Sequence, residues 1–321
     1  MKEYQLNKPV LFLVFNRPET TRKVFTAIKQ AKPPRLYVAA DGPRPSREPE
    51  AVACKEVRSL ILDHIDWSCE VKTLLRDENL GCRRAVSSAI DWFFENEEDG
   101  IILEDDCLPH PDFFRFCEEM LDHYHDETRV MMISGSNFAA LSPNDNSCYF
   151  SKYPRIWGWA SWRRAWRGYD PNLSDTSRLQ EVLLKKSCCW QEKITWKRII
   201  RLIRCGKIDT WDFQVNFHMF ANDMFTLCPA HNYIKNLGLN AEGTNSAYDR
   251  NAFILGEFPQ DRPYIRPELP EKLTANERFD WIFYWNVYHT SLGKRIKKKL
   301  LSIKNLILPR NLSKRNYSWD V

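Results

Sequence analysis

Apolar runs alternate with amphipathic segments through the first 135 residues of the chain. Residues 9–15 form an unbroken apolar run, which is typical of a strand covered on both faces. Comparable runs predict strands at 36–40, 69–76, 100–104 and 129–135, and helical spacing predicts helices at 19–30, 48–64 and 81–97. This alternation favours an α/β fold with a Rossmann-like, mostly parallel central sheet flanked by helices.

The pattern changes after residue 135. Residues 147–169 are rich in aromatic side chains. Helical spacing then predicts helices at about 178–186, 190–204 and 210–221, followed by a strand at 224–227. Many Asn, Gly and Pro residues make 236–275 mostly irregular, and 278–292 is aromatic and predicted to be helical.

No linker separates two domains in this pattern. We therefore predict one domain over residues 1–292, with halves at 1–135 and 136–292, and a distinct basic tail at 293–321. Residues 294–321 hold nine Lys or Arg and one acid, so the rest of the chain has a net charge of about −3. A nucleic-acid-binding body would spread its basic residues over a groove, so we expect no nucleic-acid partner.

The basic tail also has a helical apolar pattern. Ile296, Leu300, Ile303 and Ile307 fall on one helical face, with the lysines elsewhere. We predict that this basic, amphipathic C-terminal helix lies on an anionic membrane surface. The alternative is a basic helix packed against the protein body.

Cysteine usage and the absence of long apolar stretches bear on the compartment. The ten cysteines include no C-x-x-C pair, so neither zinc-site spacing nor a compact disulfide framework is indicated. Residues 1–8 lack the apolar run of a signal peptide, and no stretch of about 18 apolar residues follows. Together with the tail, these features predict a cytoplasmic protein, peripheral at the inner face of the cell membrane.

Three adjacent acids, Glu104, Asp105 and Asp106, follow the apolar run at 100–104. Like charges this close repel each other, and buried carboxylates are costly unless a cation or strong hydrogen bonds compensate them. Oxygen ligands at the carboxyl end of a strand suit Mg²⁺ or Mn²⁺, ions that commonly hold substrate phosphates. The sequence thus predicts a metal-diphosphate site, with a solvated turn in which Asp105 or Asp106 caps the next helix as the alternative.

Four motifs occur in order along the chain. They are Asn16-Arg17 after the first strand, Asp41-Gly42 after the second, Asn79-Leu80-Gly81 before a helix, and Glu104-Asp105-Asp106 followed by Pro111-Asp112-Phe113-Phe114. In this combination, over about residues 9–245, the chain resembles the GT-A nucleotide-sugar glycosyltransferases. Within them it is most similar to the N-acetylglucosaminyltransferase I type and to bacterial sugar transferases. The acidic triplet stands where that family has its DXD motif.

The resemblance assigns roles to the acidic triplet. Asp106 would bind the metal, Mn²⁺ or Mg²⁺, that bridges the donor diphosphate. Glu104 and Asp105 would contact the donor sugar and ribose, or support the metal site without touching the ion. Residues 1–135 would then form the nucleotide-binding half, and residues 136–292 the acceptor-side half.

Further nucleotide contacts follow from the same resemblance. Asn16 and Arg17 would reach the nucleotide, where arginine gives charge-assisted hydrogen bonds to phosphate. Asp41 would accept a hydrogen bond from the base, as expected for uracil. Arg83 or Arg84 would place a cation near the nucleotide. Simpler interpretations are a surface residue for Arg17, a turn-forming Asp for Asp41, and a solvated first helical turn for Arg83 and Arg84.

Transfer with inversion needs a base to take the proton from an acceptor hydroxyl. The family places an aspartate in a Trp-Asp segment, which resembles Trp211-Asp212 here. Desolvation beside Trp211 and Phe213 could raise the pKa of Asp212, which suits a base. Alternatively, Thr210 is an N-cap and Asp212 only an acid in the first helical turn, with Asp209 as the substitute base.

Two further elements belong to the acceptor side. Trp157 and Trp159 could form an acceptor platform or simply pack in the core. The segment from Asn236 to Ser246 resembles the loop that closes over the donor, and Thr244 lies in it. The family often has a histidine after that threonine, whereas this chain has Asn245.

These observations predict a metal-dependent inverting glycosyltransferase. It would move a sugar from a nucleotide diphosphate donor, a UDP-sugar such as UDP-N-acetylglucosamine, to a hydroxyl of a glycan or lipid-linked acceptor, as in polysaccharide biosynthesis. The alternative is a non-catalytic, membrane-associated glycan- or nucleotide-sugar-binding protein on the same fold. Sugar-nucleotide pyrophosphorylases share the sheet, but they need a Gly-rich loop after the first strand, and residues 15–18 contain no glycine.

Overall fold

The computed structural model describes residues 4–45, 47–138, 146–187, 189–239 and 264–288. Its strands are β1 (Val10–Val14), β2 (Arg35–Ala40), β3 (Glu70–Leu75), β4 (Asp99–Glu104), β5 (Cys107–Pro109), β6 (Val130–Ser134), β7 (Tyr149–Ser151), β8 (Trp159–Trp162), β9 (Phe225–Cys228) and β10 (Ile234–Asn236). Its α-helices are α1 (Pro18–Ala31), α2 (Glu48–Leu62), α3 (Gly81–Asn96), α4 (Pro111–His123), α5 (Arg163–Trp166), α6 (Thr176–Lys186), α7 (Trp190–Arg204), α8 (Asp212–Ala221) and α9 (Glu277–Phe283). Tyr284–Tyr288 continues α9 as a π-helix.

The strand β1, which is made only of apolar residues, lies inside the main sheet. All five residues of β1 are buried, and β1 pairs in parallel with β2 on one side and β4 on the other. β3 pairs in parallel with β2 at the sheet edge, where every residue of β3 is at least partly exposed. The strand order β3-β2-β1-β4-β8-β6-β9-β7 confirms the predicted mostly parallel α/β sheet.

Proline marks the start of three of the four helices in the first half. α1, α2 and α4 each have proline in the first or second helical position, where its missing N–H costs nothing. The His110 side chain caps α4 by accepting the Asp112 N–H. The alternative in which Asp105 or Asp106 caps this helix is therefore wrong.

The second half contains strands that the hydrophobic pattern did not reveal. β8 lies antiparallel between β4 and β6, and β7 pairs antiparallel with β9. Their short, aromatic sequences occur in the region 147–169, whose aromatic content does not by itself predict strands. A separate two-stranded sheet joins β5 to β10.

The apolar core has two parts that α8 connects. Val215 and Met219 of α8 pack in the core around the main sheet. Phe217 and Phe220 pack in a second cluster with Tyr153 and residues of α6, α7 and α9. α8 therefore fixes the position of its first residue, Asp212, against both parts of the core.

The remaining expectations concern membrane contact and the chain end. Among the described residues, no helix has the length and apolar composition needed to cross a membrane. The predicted helix at 278–292 is present up to residue 288 as α9 and the π-helix that follows it, and residues 289–292 lie outside the described residues. The basic tail at 293–321 lies outside the described residues.

Candidate functional site

Polar side chains meet at the point where the chain changes direction along the main sheet. In the sheet, β1 lies between β2 and β4. The chain runs from β1 to β2 and then to β3 at the sheet edge, and it returns to the other side of β1 to form β4. In open α/β sheets, ligands bind beside the carboxyl ends of the strands at such a switch point. Arg17 follows β1 here, and Glu104, Asp105 and Asp106 end β4.

Arg17 compensates part of the acidic triplet. Its guanidinium Nη1 lies 2.8 Å from Asp106 Oδ2 and 3.4 Å from Asp105 Oδ1. The Arg17 side chain is 36% exposed, whereas those of Asp105 and Asp106 are 9% and 15% exposed. The cation thus covers the acids from the solvent side.

Two carboxyl groups of the triplet keep a raised pKa although Arg17 lies beside them. Burial raises the pKa of Asp105 to about 7, although Arg17 and the Phe15 N–H, 3.3 Å from Asp105 Oδ2, act against this rise. Burial, with the charges of Asp106 and Asp105, raises the pKa of Glu104 well above its ordinary value. A further cation would therefore be stabilised at this position.

Asp212 belongs to the same electrostatic environment, although it is more than 100 residues from the triplet. Burial raises the pKa of Asp212, opposed by a hydrogen bond that its carboxylate accepts from the Thr210 hydroxyl. The charge of Asp212 in turn helps to raise the pKa of Glu104. A partly desolvated carboxylate with a raised pKa is a suitable general base.

An aromatic cluster holds the start of α8 in place. The ring of Trp211 stacks on that of Trp159, with centroids 5.9 Å apart and planes 22° apart. The Tyr169 hydroxyl donates to the Trp211 carbonyl at 2.8 Å. Burial, followed by the charge of Asp212, raises the pKa of Tyr169. Tyr169 is a neighbour of the candidate base that the sequence analysis missed.

Asp209 lies beside the start of α3. Arg83 Nε is 3.8 Å from Asp209 Oδ1, and the Arg83 N–H donates to the same oxygen at 3.4 Å. Gly81 has φ 77°, and a Cβ there would stand 2.5 Å from Asp209 Oδ2. Gly81, the glycine of the Asn-x-Gly motif, therefore allows Asp209 to lie against the start of α3. Arg84 is exposed, so Arg83 is the arginine directed toward Asp209.

Asp41 organises a turn of its own chain. Its Oδ1 accepts the N–H groups of Gly42 and Leu80, both at 3.0 Å, and its Oδ2 accepts the Asn79 side-chain amide at 2.9 Å. Burial raises the pKa of Asp41, and the Leu80 N–H opposes this rise. Both oxygens are thus engaged, which supports the turn-forming interpretation of Asp41.

Asn16 is also engaged within the protein. Its side-chain amide donates to Glu50 Oε1 at 2.9 Å. Glu50 accepts several hydrogen bonds from Arg44, which lower the pKa of Glu50 to about 2. Arg44 lies over the Phe15 ring, 5.8 Å from its centroid. Glu50 and Arg44 carried no sequence signal, since both look like ordinary charged residues of a loop and a first helical turn.

The segment around β10 covers the acidic triplet. Asn236 is opposite Cys107 in the β5–β10 ladder, and the Leu237 N–H donates to the Asp106 carbonyl at 2.7 Å. A Cβ on Gly238 would stand 2.3 Å from Asp106 Oδ2. The start of the predicted donor loop therefore lies against Asp106, whereas Thr244 is outside the described residues.

The two tryptophans predicted for the acceptor differ in position. Trp159 is fully buried in β8, so it is a core residue in this conformation and presents no ring face to a ligand. Trp157 is partly buried, with its ring centroid 5.1 Å from that of Phe138.

The acidic triplet fits a divalent ion held mainly by a substrate. Among the described residues, no three His, Cys, Asp or Glu side chains are arranged as a metal cluster. Asp106 nevertheless offers a hard oxygen donor beside two carboxyl groups whose pKa is raised, and a cation would stabilise the charged form of both. A Mg²⁺ or Mn²⁺ ion commonly uses one or two carboxylates and completes its coordination with phosphate oxygens and water.

Comparisons with known proteins do not assign a family. No protein-family model matches the chain. No curated protein matches it. Among solved structures, a UDP-glucose pyrophosphorylase complexed with UDP-glucose is similar over 70% of this chain and 90% of that chain, at 10% sequence identity and a TM-score of 0.35. Because this score is low, the fold described above rests on the chain's own strand order and register.

Proposed function

We propose that this chain is a metal-dependent inverting glycosyltransferase that uses a nucleotide diphosphate sugar as donor. The observation that carries the proposal is that the charge of a partly desolvated Asp212 reaches Glu104 of the triplet at the carboxyl end of β4. In this proposal Asp212 acts as the base, and the triplet holds the metal-bound diphosphate. A purely structural acidic turn would not need a further carboxylate close enough to raise the pKa of Glu104.

The donor site would be formed by Asp106 and Arg17. A divalent ion held by Asp106 would neutralise charge on the leaving diphosphate. Arg17, which bonds to Asp106 at 2.8 Å, would turn to the phosphate oxygens, for which its planar guanidinium is suited. Glu104, at the end of β4, would contact the donor sugar. A UDP-sugar is the donor class we favour.

The base would be Asp212. The acceptor hydroxyl oxygen forms a bond to the anomeric carbon, the bond from that carbon to the diphosphate breaks, and the hydroxyl proton passes to Asp212. Burial raises the pKa of this carboxyl, so it accepts the proton more readily than an exposed aspartate. The acceptor class we propose is a glycan or lipid-linked hydroxyl, with the tail at 293–321 bringing the protein to the membrane.

Turnover of nucleotide sugars tests the base. Asp212→Asn should lower kcat by about 10²- to 10⁴-fold and leave donor affinity nearly unchanged, since a base acts in the transition state. The matched variant Asp209→Asn should retain activity within about tenfold, because its side chain is 53% exposed. A larger loss for Asp209→Asn would reassign the base.

Thermal shift with UDP and other nucleoside diphosphates tests the donor site. UDP should raise the melting temperature only with Mn²⁺, because a ligand that binds only the native state stabilises it. Asp106→Asn should abolish this shift, whereas Asp63→Asn, an exposed position at the end of α2, should retain it. Metal-dependent binding without turnover of any nucleotide sugar would favour the non-catalytic binding protein instead.

A further inference from the structure

Helix α7 presents two large apolar side chains to solvent. Trp190 is 68% exposed and Ile194, one turn later on the same face, is 49% exposed. Leu184 is 66% exposed on α6, which ends at Lys186, four residues before Trp190. Single exposed apolar residues are ordinary, but three within eleven residues, one of them tryptophan, form a surface that favours a partner.

The same face of α7 continues as a row of cations. Lys197, Arg198, Arg201 and Arg204 are all exposed. At 100° per residue they lie within a sector of about 120° that also contains Trp190. The α7 strip is defined here as the six exposed residues Trp190, Ile194, Lys197, Arg198, Arg201 and Arg204.

The α7 strip contains no acid. The single acidic residue of α7 is Glu192, which is fully buried on the opposite side. It accepts hydrogen bonds from the Tyr153 hydroxyl at 2.6 Å and from Lys152 Nζ at 3.2 Å. The exposed side of the helix is therefore apolar at one end and purely cationic at the other.

We infer that the α7 strip docks on a membrane surface that contains anionic lipids. Tryptophan has an apolar ring and a polar N–H, so its favoured position is the boundary between headgroups and acyl chains. The cations would lie beside the lipid phosphates, where each Lys or Arg strengthens binding. A single-stranded nucleic acid would instead be matched by aromatic residues interleaved with the cations. Here the two kinds of side chain are separated.

The position of the strip relates it to the candidate site. Arg204 precedes Asp209 by five residues, a span of at most about 18 Å for an extended chain. Asp209 in turn contacts Arg83 at the start of α3. Docking through the α7 strip would therefore hold this edge of the site near the lipid surface. The inference concerns membrane binding alone and stands apart from the transfer reaction.

Flotation of the full chain with lipid vesicles tests the cationic part of the strip. The probe is phosphatidylcholine vesicles with about 30% phosphatidylglycerol, compared with pure phosphatidylcholine. Arg198→Gln combined with Arg201→Gln should lower the partition coefficient about 25-fold, because each charge contributes about fivefold. The control Lys23→Gln with Lys55→Gln, exposed residues on α1 and α2, should change it less than about twofold.

A second variant tests the apolar part. Trp190→Ser combined with Ile194→Ser should lower the partition coefficient at both low and high salt. The effect of Arg198→Gln with Arg201→Gln should become smaller in high salt, because salt screens charges. All these side chains are exposed, so melting temperatures should stay within about 2 °C of the wild type. Wild-type partition by both α7 variants, or no binding of the wild type to anionic vesicles, would overturn the inference.

Discussion

Replacing Arg17 by methionine removes the cation from the acidic triplet and keeps the length of the side chain. Arg17 bonds to Asp106 at 2.8 Å and reaches Asp105 at 3.4 Å. Two charges about 4 Å apart interact by about 4 kcal/mol at an effective dielectric constant near 20. The Arg17 side chain is 36% exposed, so solvent screening reduces the expected loss of stability to about 2 kcal/mol at pH 7.5.

The loss should depend on pH in a defined direction. Burial raises the folded-state pKa of Asp105 to about 7, above its unfolded value. The folded protein therefore gains stability from this group as pH falls from about 7 toward 4, and Arg17 then faces less negative charge. We expect Arg17→Met to lower the melting temperature by about 4 °C at pH 7.5 and by less than about 2 °C at pH 5.

Thermal unfolding followed by circular dichroism at the two pH values measures this difference. The matched control is Arg22→Met on α1, the helix that Arg17 precedes. Arg22 is 56% exposed, and its ion pair with Glu56 is long, at 3.9 Å. It should change the melting temperature by less than about 1 °C at either pH. An equal loss for Arg17→Met at both pH values would mean that Arg17 stabilises by packing, and no loss at pH 7.5 would refute the charge argument.

Three further variants test other parts of the site. Asp41→Asn should destabilise the protein by about 2 kcal/mol in urea unfolding, because one acceptor oxygen of the turn before α3 is lost; unchanged stability with lost donor binding would show instead that Asp41 contacts the base. Gly238→Ala should leave the melting temperature within about 2 °C of the wild type. It should lower the Mn²⁺-dependent affinity for UDP at least about tenfold, because the added Cβ displaces the Asp106 carboxylate. Unchanged affinity in calorimetry would contradict this. Glu50→Gln should cost about 1–2 kcal/mol at pH 7 after allowance for the partly exposed Arg44. Since the pKa of Glu50 is lowered to about 2, this cost should fade as pH drops from about 4.5 toward 2, and a cost that persists in thermal unfolding at pH 3 would contradict it.

The first half of the fold could be predicted because its signals are local. The strands β1, β2 and β4 are continuous apolar runs, and such runs are buried on both faces in parallel sheets. Proline at the first turn of the helices gave their start points within about two residues. The position of Arg17 beside Asp106 follows from the same pattern, because both residues come directly after adjacent strands.

The second half was less predictable because its structure depends on distant pairing. β8 is only four residues long and becomes a strand by pairing with β4 and β6. Trp159 has the same local sequence whether it is a core residue or an acceptor platform, and only its burial decides between them. Short aromatic stretches of this kind carry no reliable period.

Some contacts of the site had no sequence signal at all. Glu50 accepts hydrogen bonds from Asn16, 34 residues earlier, which no local pattern indicates. The approach of Asp209 to Gly81 and Arg83 joins segments 126 residues apart. Asp41, which the resemblance assigns to the base, has oxygens that accept hydrogen bonds from Asn79 and Leu80. A turn-forming aspartate and a ligand-binding one look alike in sequence.

A crystal structure with UDP and Mn²⁺ tests the central claim most directly. We predict that the nucleotide diphosphate lies at the carboxyl ends of β1 and β4, that the ion contacts an Asp106 oxygen, and that Arg17 leaves Asp106 for a phosphate oxygen. A nucleotide bound elsewhere, with Arg17 still paired to Asp106 and no ion beside it, would contradict the account.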